Sequence, residues 1–183
     1  MFNIIFQALF FFLPAYISNA IPVFLAKTRM FEFLNIPVDF GTKIGKYDLF
    51  GKTKTYRGII GGVVGGLLTV CFQAFLYESF PSLGGWFLIP YEFPAILWLG
   101  FLLGIGEGLG DLFKSFIKRR MKMASSAQSF PLDQLSFLGA VFLSYFYLHI
   151  PFYHLVVILI ISPLVPFMAN LLAYRLGWKK VWW

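Results

Sequence analysis

The sequence predicts an all-α, polytopic integral membrane protein with about five transmembrane helices. Of its 183 residues, 59% are hydrophobic, and the mean hydropathy is +0.77. A soluble domain is usually only about half apolar. The apolar residues fall into long segments, and all lysines and arginines lie in three short regions between or after them. Such an alternation is typical of membrane spans joined by polar loops.

The sequence contains five apolar segments, at about 2–25, 59–77, 86–113, 135–150 and 152–174. A helix needs roughly 20 apolar residues to cross the hydrocarbon core, and the first three segments meet this length. Pro151 separates the last two segments and is expected to break a helix there. A tight helical hairpin is therefore predicted, with a single bent helix over 135–174 and four spans in total as the alternative.

The distribution of basic residues predicts the orientation. Seven of the 15 lysines and arginines lie in 27–57, five in 114–122 and three in 175–180. Five spans place all three regions on one face, and basic loops favour the cytoplasm. We expect the N-terminus outside and the C-terminus in the cytoplasm, with cytoplasmic loops of about 26–58 and 114–134 in a single domain, 1–183. The net charge of +7 favours anionic lipid headgroups as partners.

The first apolar segment contains Pro14, Asn19 and Pro22, which are expected to interrupt the helix. Non-helical backbone at membrane depth persists only where protein or a cavity covers it. We therefore expect this helix to border a polar cavity. Asn19 would either line the cavity or bond the freed backbone groups.

A glycine-punctuated polar loop over 37–58 leads into the second segment, with Lys54, Thr55 and Arg57 at the junction. Backbone N–H groups at a helix start favour phosphate, and nearby cations add to that preference. Glycines at 58, 61, 62, 65 and 66 follow. They indicate close helix packing, and an exposed part of that face would permit a homodimer.

Asp111 lies at the end of the third segment, on one helical face with Glu107, Ser115 and Lys118. An ionisable residue in a membrane span is costly and usually has a function. Asp111 is therefore either paired with a nearby cation or directed at a functional cavity.

Asp133 and Gln134 follow Pro131, at the start of the fourth segment. Asp133 is either a helix cap or a second carboxylate that faces Asp111 across a metal ion. His149 and His154 fall on the opposite face of the membrane, and we assign them no catalytic role. The single cysteine, Cys71, excludes an internal disulfide.

Three stretches of sequence together resemble the CDP-archaeol synthase family. They are LPAYISNAIPV at 13–23, PVDFGTKIG with GKTKTYRG within 37–58, and GDLFKSFIKRR with PLDQLSF within 110–137. The resemblance implies transfer of a cytidylyl group from CTP to a membrane lipid phosphate, 2,3-bis-O-geranylgeranylglycerol 1-phosphate or a similar lipid, with release of pyrophosphate. It also implies a multi-pass protein of the cell membrane with its active site facing the cytoplasm.

The resemblance also suggests roles for individual residues. Asp111 and Asp133 would hold Mg²⁺, and the predicted catalytic residues are Asp111, Lys118, Arg119 and Asp133. The predicted substrate-binding residues are Asn19, Lys54, Thr55, Arg57, Ser115, Arg120 and Gln134. Lysines and arginines would neutralise the phosphates of CTP and of the lipid.

Other functions remain open at this point. A diacylglycerol phosphate is an equally suitable acceptor, as in the phosphatidate cytidylyltransferases, because acyl and isoprenoid chains contact interchangeable apolar surface. A small transporter for anions or lipid phosphates would need polar residues along several spans. The second, fourth and fifth segments contain almost no charge. A lipid-binding scaffold would leave Asp111 and Asp133 unexplained, and no nucleic-acid partner is expected.

Overall fold

The structure is a computed structural model that describes residues 2–123, 129, 132 and 135–178. The described residues form six α-helices: α1 (Phe2–Thr28), α2 (Tyr56–Ser79), α3 (Ala95–Arg120), α4 (Phe137–Leu148), α5 (Phe152–Ile161) and α6 (Leu164–Arg175). An antiparallel hairpin of β1 (Lys43–Ile44) and β2 (Tyr47–Asp48) lies between α1 and α2, and short 3-10 helices cover Glu32–Leu34 and Pro81–Trp86. The predicted helical class is confirmed.

Among the described residues, three helices are long and apolar enough to cross a membrane: Asn3–Thr28, Tyr56–Ser79 and Ala95–Arg120. The apolar helices of the C-terminal part are shorter, so the number of crossings and the orientation stay predictions. α3 begins at Ala95 rather than near residue 86, because 81–86 form a separate 3-10 helix and Pro90 and Pro94 follow it. α3 also continues to Arg120, so the predicted loop 114–134 starts as helix.

The expected interruption of α1 is wrong, because Pro14 and Pro22 lie inside one continuous helix. Pro14 has no N–H, which leaves the carbonyl of Phe10, four residues earlier, without its helical partner. The side-chain amide of Gln73 in α2 donates to that carbonyl at 2.5 Å. A neighbouring helix therefore supplies the hydrogen bond that proline removes, as membrane helices allow.

Glycines let α1, α2, α3 and α4 approach backbone to backbone. A Cβ at Gly66 would lie 2.8 Å from the carbonyl oxygen of Gly100 in α3, and one at Gly62 would lie 3.1 Å from that of Ser18 in α1. Between α3 and α4, a Cβ at Gly110 would lie 1.9 Å from the carbonyl oxygen of Ser136. The predicted close packing is confirmed. These α2 glycines face partners within the chain, and the possible homodimer stays a prediction.

The C-terminal third is broken twice by proline. α4 ends at Leu148, His149 adopts a left-handed backbone with φ of 48°, and α5 starts after Pro151. This break was predicted, but the expected continuous helix over 152–174 was not found. It divides at Ser162 and Pro163 because proline cannot donate to the preceding turn. A hydrogen bond of 2.7 Å between the hydroxyls of Tyr16 and Ser162 ties this junction to α1.

Candidate active site

A polar cavity of about 90 Å³ lies between α1, α2 and α3, where the loop before α2 meets the bundle. Its polar lining comprises Ser18, Asn19, Thr53, Lys54, Thr55, Glu107 and Asp111, together with glycines of α2 and α3. Four residues predicted to act on substrate, Asn19, Lys54, Thr55 and Asp111, therefore meet in one place although they are distant in sequence.

Asp111 lies between two lysines. Its Oδ2 accepts a hydrogen bond from the ammonium group of Lys54, which comes from the loop before α2. Its Oδ1 lies 2.8 Å from Nζ of Lys114, one turn later in α3. All three side chains are partly buried, with exposed fractions between 15% and 29%. The sequence analysis left two alternatives for Asp111, pairing with a cation or orientation toward a cavity. In the structure Asp111 does both.

The loop that delivers Lys54 is held by its own backbone. The carbonyl of Lys54 accepts from the N–H of Val38 at 2.8 Å, and its N–H donates to Gly51 at 3.1 Å. Thr55 then caps α2, because its hydroxyl accepts from the N–H of Gly58 at 3.3 Å. Lys54 thus reaches Asp111 from a constrained position.

Asp39 organises the same loop from within. Its carboxylate accepts from the N–H groups of Phe50, Gly41 and Gly51 at 2.9, 3.0 and 3.1 Å. Burial by itself would raise the pKa of Asp39, but the three N–H groups stabilise the ionised form and lower that pKa below its usual range. The carboxylate therefore ties residue 39 to residues 41–51.

Glu107 is the site residue to which the sequence assigned no role. It lies one turn before Asp111, lines the same cavity and is only 4% exposed. Its Oε1 makes no hydrogen bond to any described residue. The one indication in the sequence was that Glu107 lies four residues before Asp111. This spacing places both residues on the same face of a helix, but it does not show that the face borders a cavity.

Lys118 and Arg119 lie in the last turn of α3 and are buried, at 6% and 7% exposure. Neither lines the cavity. Nε of Arg119 donates no hydrogen bond within the part of the chain that the structure describes. Arg119 is eight residues, about two turns, beyond Asp111 and lies on the same side of α3.

Three other predicted substrate-binding residues make contacts within the protein. Arg57 is buried and donates to Glu32 at 2.5 Å. Arg120 donates to the carbonyl of Asp48 at 2.8 Å and lies over the ring of Phe116, so it ties the β-hairpin to α3. Ser115 donates its hydroxyl to the carbonyl of Asp111 at 2.8 Å. None of the three lines the cavity.

Asp133 and Gln134 lie outside the described residues. Within the described ranges, no three His, Cys, Asp or Glu side chains cluster as a metal site would require. The two carboxylates that share the cavity are Glu107 and Asp111. His154 is buried elsewhere, with Nε2 3.1 Å from Oε1 of Gln7, and neither histidine lines the cavity.

Comparison with known proteins gives consistent matches along the whole chain. The family model described as CDP-archaeol synthase (CarS-like) matches residues 1–183. A CDP-archaeol synthase of Pyrococcus horikoshii is 38% identical over 185 residues, covering 99% of this chain and 98% of the relative. One from Methanococcus maripaludis strain C5 is 38% identical over 183 residues, covering 98% and 97%.

A solved structure has the same fold. It is described as an intramembrane enzyme for archaeal membrane lipid biosynthesis, and it superimposes with a TM-score of 0.66. The two sequences are 25% identical, and the match covers 92% of each chain.

Proposed function

The chain belongs to the CDP-archaeol synthase family, and from this we propose that it transfers a cytidylyl group from CTP to an archaeal lipid phosphate. The products are a CDP-activated lipid and pyrophosphate. The observation that carries the proposal is the whole-length family match together with a cavity in which Asp111 lies between Lys54 and Lys114. Such a cavity combines cations with a carboxylate at one end of the spans.

The reaction requires positioning and charge neutralisation more than proton transfer. An oxygen of the lipid phosphate attacks the α-phosphorus of CTP, the bond from that phosphorus to the β-bridging oxygen breaks, and pyrophosphate leaves. The nucleophile is already anionic, so no general base is needed. Reactions of this kind are accelerated chiefly by alignment and by cations on the phosphate oxygens.

Lys54, which lines the cavity, and Lys114 beside it in the ion-pair cluster are suited to bind phosphate because both contact the carboxylate of Asp111, which phosphate oxygens can replace. The lysine ammonium is a flexible point charge and tolerates such an exchange. Asn19 of α1 and Thr55, next to Lys54, add polar groups to the lining. Lys118 and Arg119 are proposed to neutralise phosphate at the end of α3. For Arg119 this is supported by its Nε, which donates no hydrogen bond among the residues that the structure describes.

The cavity also suits a magnesium ion. Mg²⁺ takes one or two carboxylates and completes its shell with waters and substrate phosphates. Asp111 and Glu107 line one cavity, and Oε1 of Glu107 is buried without a hydrogen bond among the described residues. We propose that Asp111 holds Mg²⁺ together with Asp133, with Glu107 available as a further oxygen donor. When bound, Mg²⁺ would offset the charge of the phosphates.

The proposed orientation in the membrane rests on the position of the cavity and of the basic residues at one end of the bundle. The C-terminal ends of α1 and α3 and the start of α2 carry the cavity and most of the basic residues. The preference of such residues for the cytoplasm supports an active site facing that side and an external N-terminus. A fifth crossing would be formed by α5 and α6 in succession, which together cover 152–175.

Purified protein in detergent tests the activity. It would be given radiolabelled CTP and a panel of lipid phosphates that includes an isoprenoid ether and a diacyl ester. We expect label in a CDP-lipid with the ether acceptor, loss of the product with EDTA and recovery with Mg²⁺. Absence of labelled lipid with every acceptor would contradict the proposal, and a preference for the diacyl ester would reassign the acceptor.

A further inference from the structure

The loop between α1 and α2 exposes a large apolar surface outside the predicted spans. The exposed side chains are those of Met30, Phe31, Phe33, Ile36 and Phe40. Phe33 and Phe40 are 73% and 75% exposed, more than most lipid-facing side chains of the long helices. Several large apolar side chains exposed on one loop indicate an interaction site.

This patch continues the lipid-facing stripe of α2. Ile60, Val64 and Leu68 recur every fourth residue on the exposed side of this apolar helix. Tyr56 lies one turn before Ile60, and the ring of Phe40 lies 5.8 Å from that of Tyr56. Through the contact of Phe40 with Tyr56, the exposed apolar side chains of the loop adjoin the lipid-facing side of α2.

The loop holds its aromatic side chains outward by a fixed backbone. Phe31 and Phe40 have positive φ angles of 54° and 49°, a left-handed conformation that bulky residues avoid. Glu32, between Phe31 and Phe33, pairs with the buried Arg57 at the start of α2. Such conformations persist where the surroundings impose them and often mark functional segments.

Cations surround the aromatic patch. Lys27 and Arg29 precede it, and Lys43 and Lys46 of the hairpin follow it, all with exposed side chains. Aromatic residues beside lysine and arginine are the composition that binds the boundary between acyl chains and anionic headgroups.

We propose that residues 29–40 insert into the headgroup layer of the bilayer and bind anionic lipid through the flanking cations. The partner is the membrane lipid itself. Because the same loop continues to Lys54 and Thr55, its contact with lipid holds those two residues at the membrane surface. The contact also places lipid phosphates beside the cavity.

Site-specific fluorescence in liposomes tests the insertion. In a Cys71→Ala background, Phe33→Cys and Phe40→Cys would carry an environment-sensitive NBD label, with Lys52→Cys, an exposed position outside the proposed lipid contact, as the matched control. In vesicles containing anionic lipid, we expect labels at 33 and 40 to be quenched several-fold more strongly by shallow spin-labelled lipid than the label at 52. The label at 52 should instead be the one quenched by aqueous iodide. Iodide quenching at 33 and 40 equal to that at 52 would overturn the proposal.

A measurement on the unmodified protein removes dependence on the variants. The protein would be reconstituted with an anionic lipid that carries a photoactivatable group near the headgroup, and the adducts would be mapped to peptides. Adducts within 29–40 are expected. Adducts confined to the spans, with none in 29–40, would overturn the proposal. Neither readout depends on turnover, so an inactive preparation would contradict the proposed reaction without affecting this test.

Discussion

The two ends of the α1–α3 bundle both bury polar side chains, but they use them differently. At one end, the oppositely charged Lys54 and Asp111 lie with Glu107 around a cavity. At the other end, Gln7 bonds the carbonyl of Gly85 at 3.0 Å and the ring of His154 at 3.1 Å. The polar groups of this second end serve contacts between protein segments.

Gln73 shows why the second end is structural. It is fully buried in α2, and its amide compensates the carbonyl that Pro14 leaves free in α1. The difference teaches that polarity inside a membrane does not by itself indicate a site. Charge beside a cavity indicates one, whereas a neutral amide directed at a backbone carbonyl maintains a helix.

The largest expected effect is at the cavity end. Asp111→Asn should lower turnover on the order of 10³-fold, because the carboxylate that holds Lys54, Lys114 and the proposed metal loses its charge. Turnover would be measured with labelled CTP, and folding by thermal melting in detergent. Asp48→Asn in the hairpin is the matched control. Wild-type turnover in Asp111→Asn would contradict the proposal that the cavity end of the bundle acts in catalysis.

Lys54→Met should have the next largest effect, roughly a 10²-fold loss in kcat/KM, because one charged donor to phosphate disappears from the cavity. Lys52→Met removes an exposed lysine two residues earlier in the same loop and should stay near the wild-type value. Equal losses in the two variants would mean that the net charge of the loop matters and the position of Lys54 does not.

Gln73→Leu tests the structural end. It leaves the carbonyl of Phe10 buried without a partner, which should destabilise the protein by about 1–3 kcal/mol. Turnover per folded molecule should be unchanged. Unfolding would be followed by titration with a denaturing detergent, with Phe72→Leu on the exposed side of α2 as the control. Loss of turnover at unchanged stability would show that the two ends are not separate in function.

The smallest expected effect concerns Asp39, a buried carboxylate with only backbone partners. Asp39→Asn should destabilise the 39–51 loop by about 1 kcal/mol, seen as faster amide hydrogen exchange there. Since folding lowers the pKa of Asp39, the wild-type advantage is present above about pH 4 and declines as the pH falls through the folded pKa. A difference between wild type and variant that persisted unchanged at pH 2 would contradict this assignment.

Much of the site could be predicted from the sequence. A charged residue in a membrane span costs free energy and is therefore rare, so each one stands out in an apolar segment. Asp111 was detectable as a carboxylate in an apolar helix, and Lys54 and Thr55 as polar residues at a helix start. Their convergence on one cavity confirms that they lie together, while their roles in catalysis stay predictions. Asp133 and Gln134 also stay predictions, because they lie outside the described residues.

The remaining differences arise from partners that are distant in sequence. Arg57 and Arg120 are of the residue type that commonly binds phosphate. In the structure, however, Arg57 donates to Glu32 and Arg120 donates to backbone carbonyls of the β-hairpin. The continuity of α1 through Pro14 depends on Gln73, 59 positions along the chain, and periodicity cannot indicate such a hydrogen bond.

The amino-acid sequence alone determined the helical membrane class, the first three spans, the break at Pro151 and the candidate carboxylate, because hydropathy, proline and the cost of buried charge act locally. Only the tertiary structure decided which cations border the cavity. Lys54 lies at the cavity beside Asp111, whereas Arg57 and Arg120 bond to Glu32 and to the hairpin and do not line it. That distinction depends on which helices the glycine contacts bring together.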